Sequence, residues 1–169
     1  MTYLKRSGSD QTVALNSDVL VNIDLNQVFH LHNTTDKKLL WSTKKLSKEL
    51  IFRCKTAFWK IDESDKVLSH ELFQGGDKEA YNMSTDIFVV DTPFLIAKLE
   101  EEAAKEEPRK LRYVLRDLAV AENAFAYEYT GYLSNIHSVK AYFDANLDML
   151  ESQKFYSLFA PNQKVYTKS

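Results

Sequence analysis

Between Leu111 and Leu150 the chain carries apolar side chains in two columns of period seven. Leu111, Leu118, Phe125, Tyr132 and Val139 form the first; Leu115, Glu122, Tyr129, Ile136, Phe143 and Leu150, four residues further on each time, form the second. Columns separated alternately by four and three residues lie along one side of an α-helix and ask for another helix to pack against. Pro108 begins or kinks this segment, and the only interior breaker is Gly131, whose cost in a helix is about 1 kcal/mol relative to Ala. The spacing therefore predicts one long helix or a helical hairpin over 108–151. Unbroken, its forty or so residues would reach about 60 Å. Such a stripe serves either as the domain's own core or as a face for a second helix. Glu122, the one acid on it, either sits at its edge in water or fixes the register of a helix pair.

The rest of the chain limits what can surround such a helix. Only four Gly and three Pro occur in 169 residues, too few for the many tight turns of a sandwich or barrel. The 44% apolar content supplies a full core for one domain of ordinary size. Residues 1–10 are polar and read as a mobile leader. Val19, Val21, Ile23 and Leu25 alternate with more polar neighbours, and Val28 to His32 continue the alternation, which predicts short strands. Asn33 to Asp36 form a turn cluster and Lys38 to Trp41 a further strand. Residues 66–73 fit either a strand or a helix, and Gln74-Gly75-Gly76-Asp77 reads as a turn. Asp86 to Asp91 encloses four β-branched or aromatic residues and predicts a buried strand. Asp91-Thr92-Pro93 then starts a helix, since Pro loses nothing at a first-turn position, and that helix is expected to run to about Glu107. Residues 152–169 read as a short helix or loop and an extended tail with Val165 and Tyr166. The fold class that results is α+β: a small, mainly antiparallel N-terminal sheet packed on helices, with a helical C-terminal third. The domain expectation is one unit over 11–151, mixed β/α to residue 91 and helical after it, with 152–169 as an extension.

The strongest local charge lies in residues 37–60: eight cations (Lys37, Lys38, Lys44, Lys45, Lys48, Arg53, Lys55, Lys60) against Glu49, an excess of seven in a chain of net charge −2. Leu46, Leu50, Cys54, Ala57, Phe58 and Ile61 recur at helical spacing, so a helix is expected over 43–61. On it Lys44, Lys48 and Lys55 share a face, with Phe52 and Trp59 beside them. Ammonium groups neutralise phosphates and rings stack on bases, which is the chemistry of a single-strand nucleic-acid surface. The same rings serve equally as core under lysine stems. The acids concentrate at Glu100, Glu101, Glu102, Glu106 and Glu107, and pairing with the lysines is one use for them.

Motifs for catalysis are missing from the sequence: no phosphate-binding glycine loop, no Gly-x-Ser-x-Gly, no His-Glu-x-x-His and no calcium loop. Cys54 is the only cysteine, which excludes an intrachain disulfide and a cysteine zinc site. His30 and His32 would share a face on a strand and form half of a metal site; His70 and His137 lie far away in sequence. The beginning of the chain has no apolar signal core, and no run approaches a membrane span. The expectation is an intracellular protein, cytoplasmic or assembled in a host cell as a viral or phage component is, and not an enzyme. It is expected to need no cofactor or metal and to act through helix-mediated oligomerisation or a protein partner. The residues expected to carry this are Leu111, Leu115, Leu118, Glu122, Phe125, Tyr129, Tyr132 and Ile136. The alternative is single-stranded nucleic-acid binding through Lys44, Lys48, Phe52, Lys55 and Trp59.

Overall fold

The sheet is organised around its longest strand, β6 (Ala80–Asp91). In the computed structural model, which describes residues 2–48, 57–72, 74 and 79–161, one edge of β6 is covered along its length by β3 (Leu39–Ser47). Two strands share its other edge: β4 (Ala57–Ile61) meets the first half, at Phe58↔Met83 and Trp59↔Asn82, and β1 (Gln11–Leu15) meets the second half, from Ile87 to Asp91. Beyond β4 lies β5 (Val67–Leu72), and beyond β3 lies β7 (Phe125–Glu128), the one strand in parallel pairing. These two outer strands meet. Lys66 bridges Phe125, the Val67 N–H donates to the Ala124 carbonyl at 2.9 Å, and the Ala126 N–H donates to the Asp65 carbonyl at 2.7 Å. A separate ribbon pairs β2 (Val19–Val21) with β8 (Leu133–Asn135).

Alternation along the strands sorts the core into two layers. Leu39, Trp41, Phe88 and Val90 join Trp59, Val67, Leu95 and Leu115 on one face, under helices α3 (Thr92–Ala103) and α4 (Leu111–Ala121). Leu40 and Val89 turn to the other face and meet Val28 of α2 (Leu25–Thr34). The architecture is thus mixed α+β, a mainly antiparallel sheet packed with helices, in agreement with the fold class read from the sequence. The strand at 86–91 and the helix start at Asp91-Thr92-Pro93 also stand as expected, with Pro93 in the first turn. Residues 2–7, read as a leader, form α1, and its Leu4 packs on the larger core layer.

Four further expectations are corrected. The strand over 28–32 is a helix: Asp24 caps it by accepting from the N–H groups of Asn26 and Gln27, and its buried residues Val28 and His32 lie four apart. The helix over 43–61 is replaced, within the described residues, by the later part of β3 and by β4; residues 49–56 lie outside them, as do the Gly75-Gly76 pair and the tail 162–169. The ladder with β6, which runs on through Lys44 and Lys45 to Ser47, overrides the helix propensity of the lysines, and β7 anchors the preceding residues Leu40 to Thr43 from the other edge. The helix from Pro93 ends at Ala103, where Glu102 turns to Arg109. The long helix over 108–151 is α4, β7, β8 and two short helices, α5 (Val139–Asp148) and α6 (Ser152–Leu158). What stops α4 is Asn123 in the left-handed region (φ 46°). Its N–H bonds the Val120 carbonyl at 3.2 Å, and the Ala124 N–H bonds the Ala119 carbonyl at 2.8 Å, the two bonds of a Schellman end.

Candidate functional site

The predicted seam residues are dispersed by this fold. Leu115 is core and Leu118 half-buried on α4, while Leu111 is exposed at its start and Glu122 sits at its C-cap. Phe125 lies on β7 and packs beside the smaller core layer. Tyr129 is buried after β7, where its N–H donates to the Thr43 carbonyl at 2.7 Å and its hydroxyl to the Tyr132 carbonyl at 2.9 Å. Tyr132 is half-buried and donates its hydroxyl to Asp148 at 3.0 Å. Burial, and then this carboxylate neighbour, push the Tyr132 phenol up to about 12. Ile136 is half-buried just past β8. These eight residues form no single face.

The last members of both columns do form one. Val139, Tyr142, Phe143 and Leu147 of α5, with Leu150 just past its end, follow the spacing i, i+3, i+4, i+8, i+11 and fall within an arc of about 140°. All five are exposed, Val139 by 86%, Phe143 by 60% and Leu150 by 80%. On the opposite side, α5 presents its one buried residue, Ala145, to the rest of the molecule. The amphipathic helix is therefore turned outward. It is held that way by the Ser138 cap on the Ala141 N–H (3.1 Å) and by Asp148, which accepts from Tyr132 and from Lys154 at 2.7 Å. The next helix adds exposed Phe155 and Tyr156, whose rings meet edge to face at 5.7 Å. Large apolar side chains left in water together at regular spacing are unusual on a folded domain.

Among the described residues, Lys44, Lys48 and Trp59 of the nucleic-acid face expected from the sequence do not form one exposed surface. Trp59 is 1% exposed and packs at 4.1 Å from Trp41 and 4.3 Å from His70, so its ring is core. Lys44 lies on β3, donates to the Thr130 and Gly131 carbonyls and stands over the Tyr129 ring; burial lowers its pKa, Glu128 opposing in part. Lys48 is exposed, and Phe52 and Lys55 lie outside the described residues. Three of the five glutamates pair away from the 37–60 lysines. Glu100 pairs with Lys5, Glu101 with Lys98, and Glu102 with Lys105 and Arg109.

The histidine pair is divided by α2, which leaves His30 exposed and His32 buried. No group of three or more His, Cys, Asp or Glu among the described residues is arranged to hold a metal. His32 belongs instead to a polar cluster between β1, α2 and the start of α3. Gln11 donates its amide to His32 Nδ1 (2.7 Å) and to Asn33 (2.6 Å), while Asp91 lies 3.1 Å from Lys38 and 3.7 Å from His32 Nε2. Gln11, Asn33, Lys38 and Asp91 border an open hollow of about 450 Å³, lined also by Asp10, Pro93 and Phe94. Charges of both signs compensate one another there.

A second cluster, unseen in the sequence, surrounds Asp86. Between Trp41↔Phe88 and Thr43↔Ser84, two steps on β3 answer four on β6, and in this bulge Asp86 has φ 53°. Its carboxylate accepts from Ser84 (2.6 Å), Asn16 (3.0 Å) and Arg116 (3.1 Å to each oxygen), and Ser84 accepts in turn from the Trp41 indole at 3.0 Å. The Trp59 Nε1, His70 Nε2 and Arg116 Nε atoms nearby are buried without a hydrogen-bond partner. Burial first, and then the Arg116 charge, lower the pKa of His70.

No family model matches the chain. A curated protein, the glucose-1-phosphate adenylyltransferase of Clostridium acetobutylicum, is 24% identical over 110 residues, which is 63% of this chain and 28% of that protein. The chain thus spans well under a third of the relative it matches. This finding corrects the expectation that the chain is not an enzyme: a stretch similar to part of an adenylyltransferase removes the ground on which catalysis was set aside. No helix among the described residues is long and apolar enough to cross a membrane.

Proposed function

We propose that the protein works by association, holding another protein chain on the outward apolar face of α5. One observation carries this reading. The residues that would ordinarily anchor an amphipathic helix to its own domain, Val139, Tyr142, Phe143, Leu147 and Leu150, are the exposed ones, and a lone alanine faces inward. Removing such side chains from water contributes roughly 25 cal/mol per Å² of apolar area. The ribbon β2–β8 and the Tyr132–Asp148 bond fix α5 in place, so little ordering opposes association. This retains association as the mode of action and moves it from the dispersed seam to the last turns of that stripe.

The test is comparative recovery of tagged protein from its native cells. The unaltered chain is expected to retain a stoichiometric companion, whether another protein or a second copy. A Phe143→Glu/Leu150→Glu chain, equally folded by circular dichroism, is expected to lose it. Equal recovery with both chains would overturn the reading.

A further inference from the structure

We infer that the occupant of the α5 face is a second copy of this chain, packed antiparallel across a two-fold axis; this rests on the reading of that face as an association surface. Three features favour a copy over a different protein. The first is the symmetry of the stripe. Positions 139, 142, 143, 146, 147 and 150 map onto themselves when their order is reversed about the midpoint between Asp144 and Ala145. An antiparallel copy then sets Val139 opposite Leu150, Tyr142 opposite Leu147 and Phe143 opposite Asn146. That is the self-complementarity an isologous contact requires. Asn146, the polar member, already donates one amide hydrogen to the Tyr142 carbonyl at 2.7 Å, so part of its hydrogen-bonding capacity is met within its own chain.

The second feature is area. The five stripe side chains leave roughly 600 Å² in water. A standard stable interface takes about 800 Å² from each partner, so the stripe, present on both copies, supplies most of each side. The third is charge. The ions around the stripe are paired within their own chain: Lys140 with Asp144 at 2.6 Å, and Lys154 with Asp148 at 2.7 Å and Glu151 at 2.8 Å. A rim with three acids and two bases, mutually paired, offers little to a strongly charged partner and does not repel a copy of itself.

Sedimentation velocity on the full chain over roughly 1–100 µM tests this, the range being that of moderate affinities. The unaltered chain is expected to dimerise, and Phe143→Glu to raise the dissociation constant by about 30-fold or more, the effect of losing a central anchor. Orientation is read by oxidative cross-linking of chains in which Cys54 is replaced by Ser. A mixture of Val139→Cys and Leu150→Cys chains is expected to cross-link, and neither chain alone to do so. Cross-linking of each alone would indicate parallel packing and overturn the inference. A monomer at the highest concentration would also overturn it. The reading beneath it would then stand or fall separately, by whether the recovery experiment finds a companion protein that Phe143→Glu/Leu150→Glu loses.

Discussion

Asp86 holds a left-handed backbone in the middle of the longest strand, a conformation that costs a non-glycine residue about 1–2 kcal/mol. The compensation is its carboxylate, which ties β6 to Arg116 of α4 and to Asn16 after β1. Asp86→Ala keeps the strain and leaves the largely buried guanidinium without its partner, so it is expected to destabilise by about 3 kcal/mol or more. Asp86→Gly also loses the pair but relieves the backbone. It should recover about 1 kcal/mol of that loss, read as the difference between urea midpoints of the two variants. Glu102 is another acid with a structural post. Hydrogen bonds from the Arg109 side chain, then from Lys105 and the Arg109 N–H, hold its carboxyl far below the ordinary 4.5. Because the folded value is depressed, the stability it contributes is complete above 4.5 and fades as pH falls from there towards the folded value. Glu102→Gln is therefore expected to be less stable than the unaltered chain at pH 7 and to lose less on acidification below pH 4.5. Parallel acid unfolding curves for the two proteins would refute this.

At the scale of elements, the turn between β7 and β8 shows why a glycine can matter outside a helix. A side chain on Gly131 would overlap the Tyr129 ring, and that ring is pinned by its hydroxyl bond to the Tyr132 carbonyl and by burial. Gly131→Ala is expected to destabilise by about 1–3 kcal/mol, the cost of overpacking, and not to stabilise as it would in a helix. Thermal unfolding of the variant decides between the two signs. The same turn receives the Lys44 ammonium on the Thr130 and Gly131 carbonyls, so β3 and the β7–β8 connection are linked by side chain as well as by backbone. This linkage is what carries the β2–β8 ribbon, and α5 after it, to the edge of the molecule.

For the whole molecule, the consequential contact is the meeting of β5 with β7. Without it the path β5-β4-β6-β3-β7 is an open sheet with two free ends; with it the outer strands support each other at one point. The Val67 and Ala126 amides are the donors there. In native-state hydrogen exchange they are expected to be protected to the level of the buried amides of Val89 and Val90. Exchange at the rate of a solvent-exposed strand edge would show that the ends do not hold together. The layering also explains the division of labour among helices. α2, α3 and α4 pack on the two core layers of the sheet, while α5 follows the separate β2–β8 ribbon and its apolar side is left outward.

The sequence alone determined what neighbouring residues control. The run Asp86 to Asp91 is β-branched and aromatic, and Asp91-Thr92-Pro93 can only begin a helix, so the β6–α3 junction and the α+β class were legible. The residues after 151 read as a short helix or a loop, and the fold takes the helix. Tertiary structure decided the rest. The lysine-rich stretch after Trp41 has helical spacing, yet β6, distant in sequence, offers it a ladder that continues to Ser47, while β7 holds the residues just before it, Leu40 to Thr43, and this pairing outweighs a few tenths of a kcal/mol of propensity per residue. The period-seven stripe was misleading for a related reason. Seven residues separate apolar side chains equally well along a helix, across a turn or in a strand, and only Glu122-Asn123, a left-handed stop, signalled that α4 ends there. Whether an apolar residue such as Phe143 lies inside or outside is set by which other surfaces are already covered, and that is a property of the assembled fold.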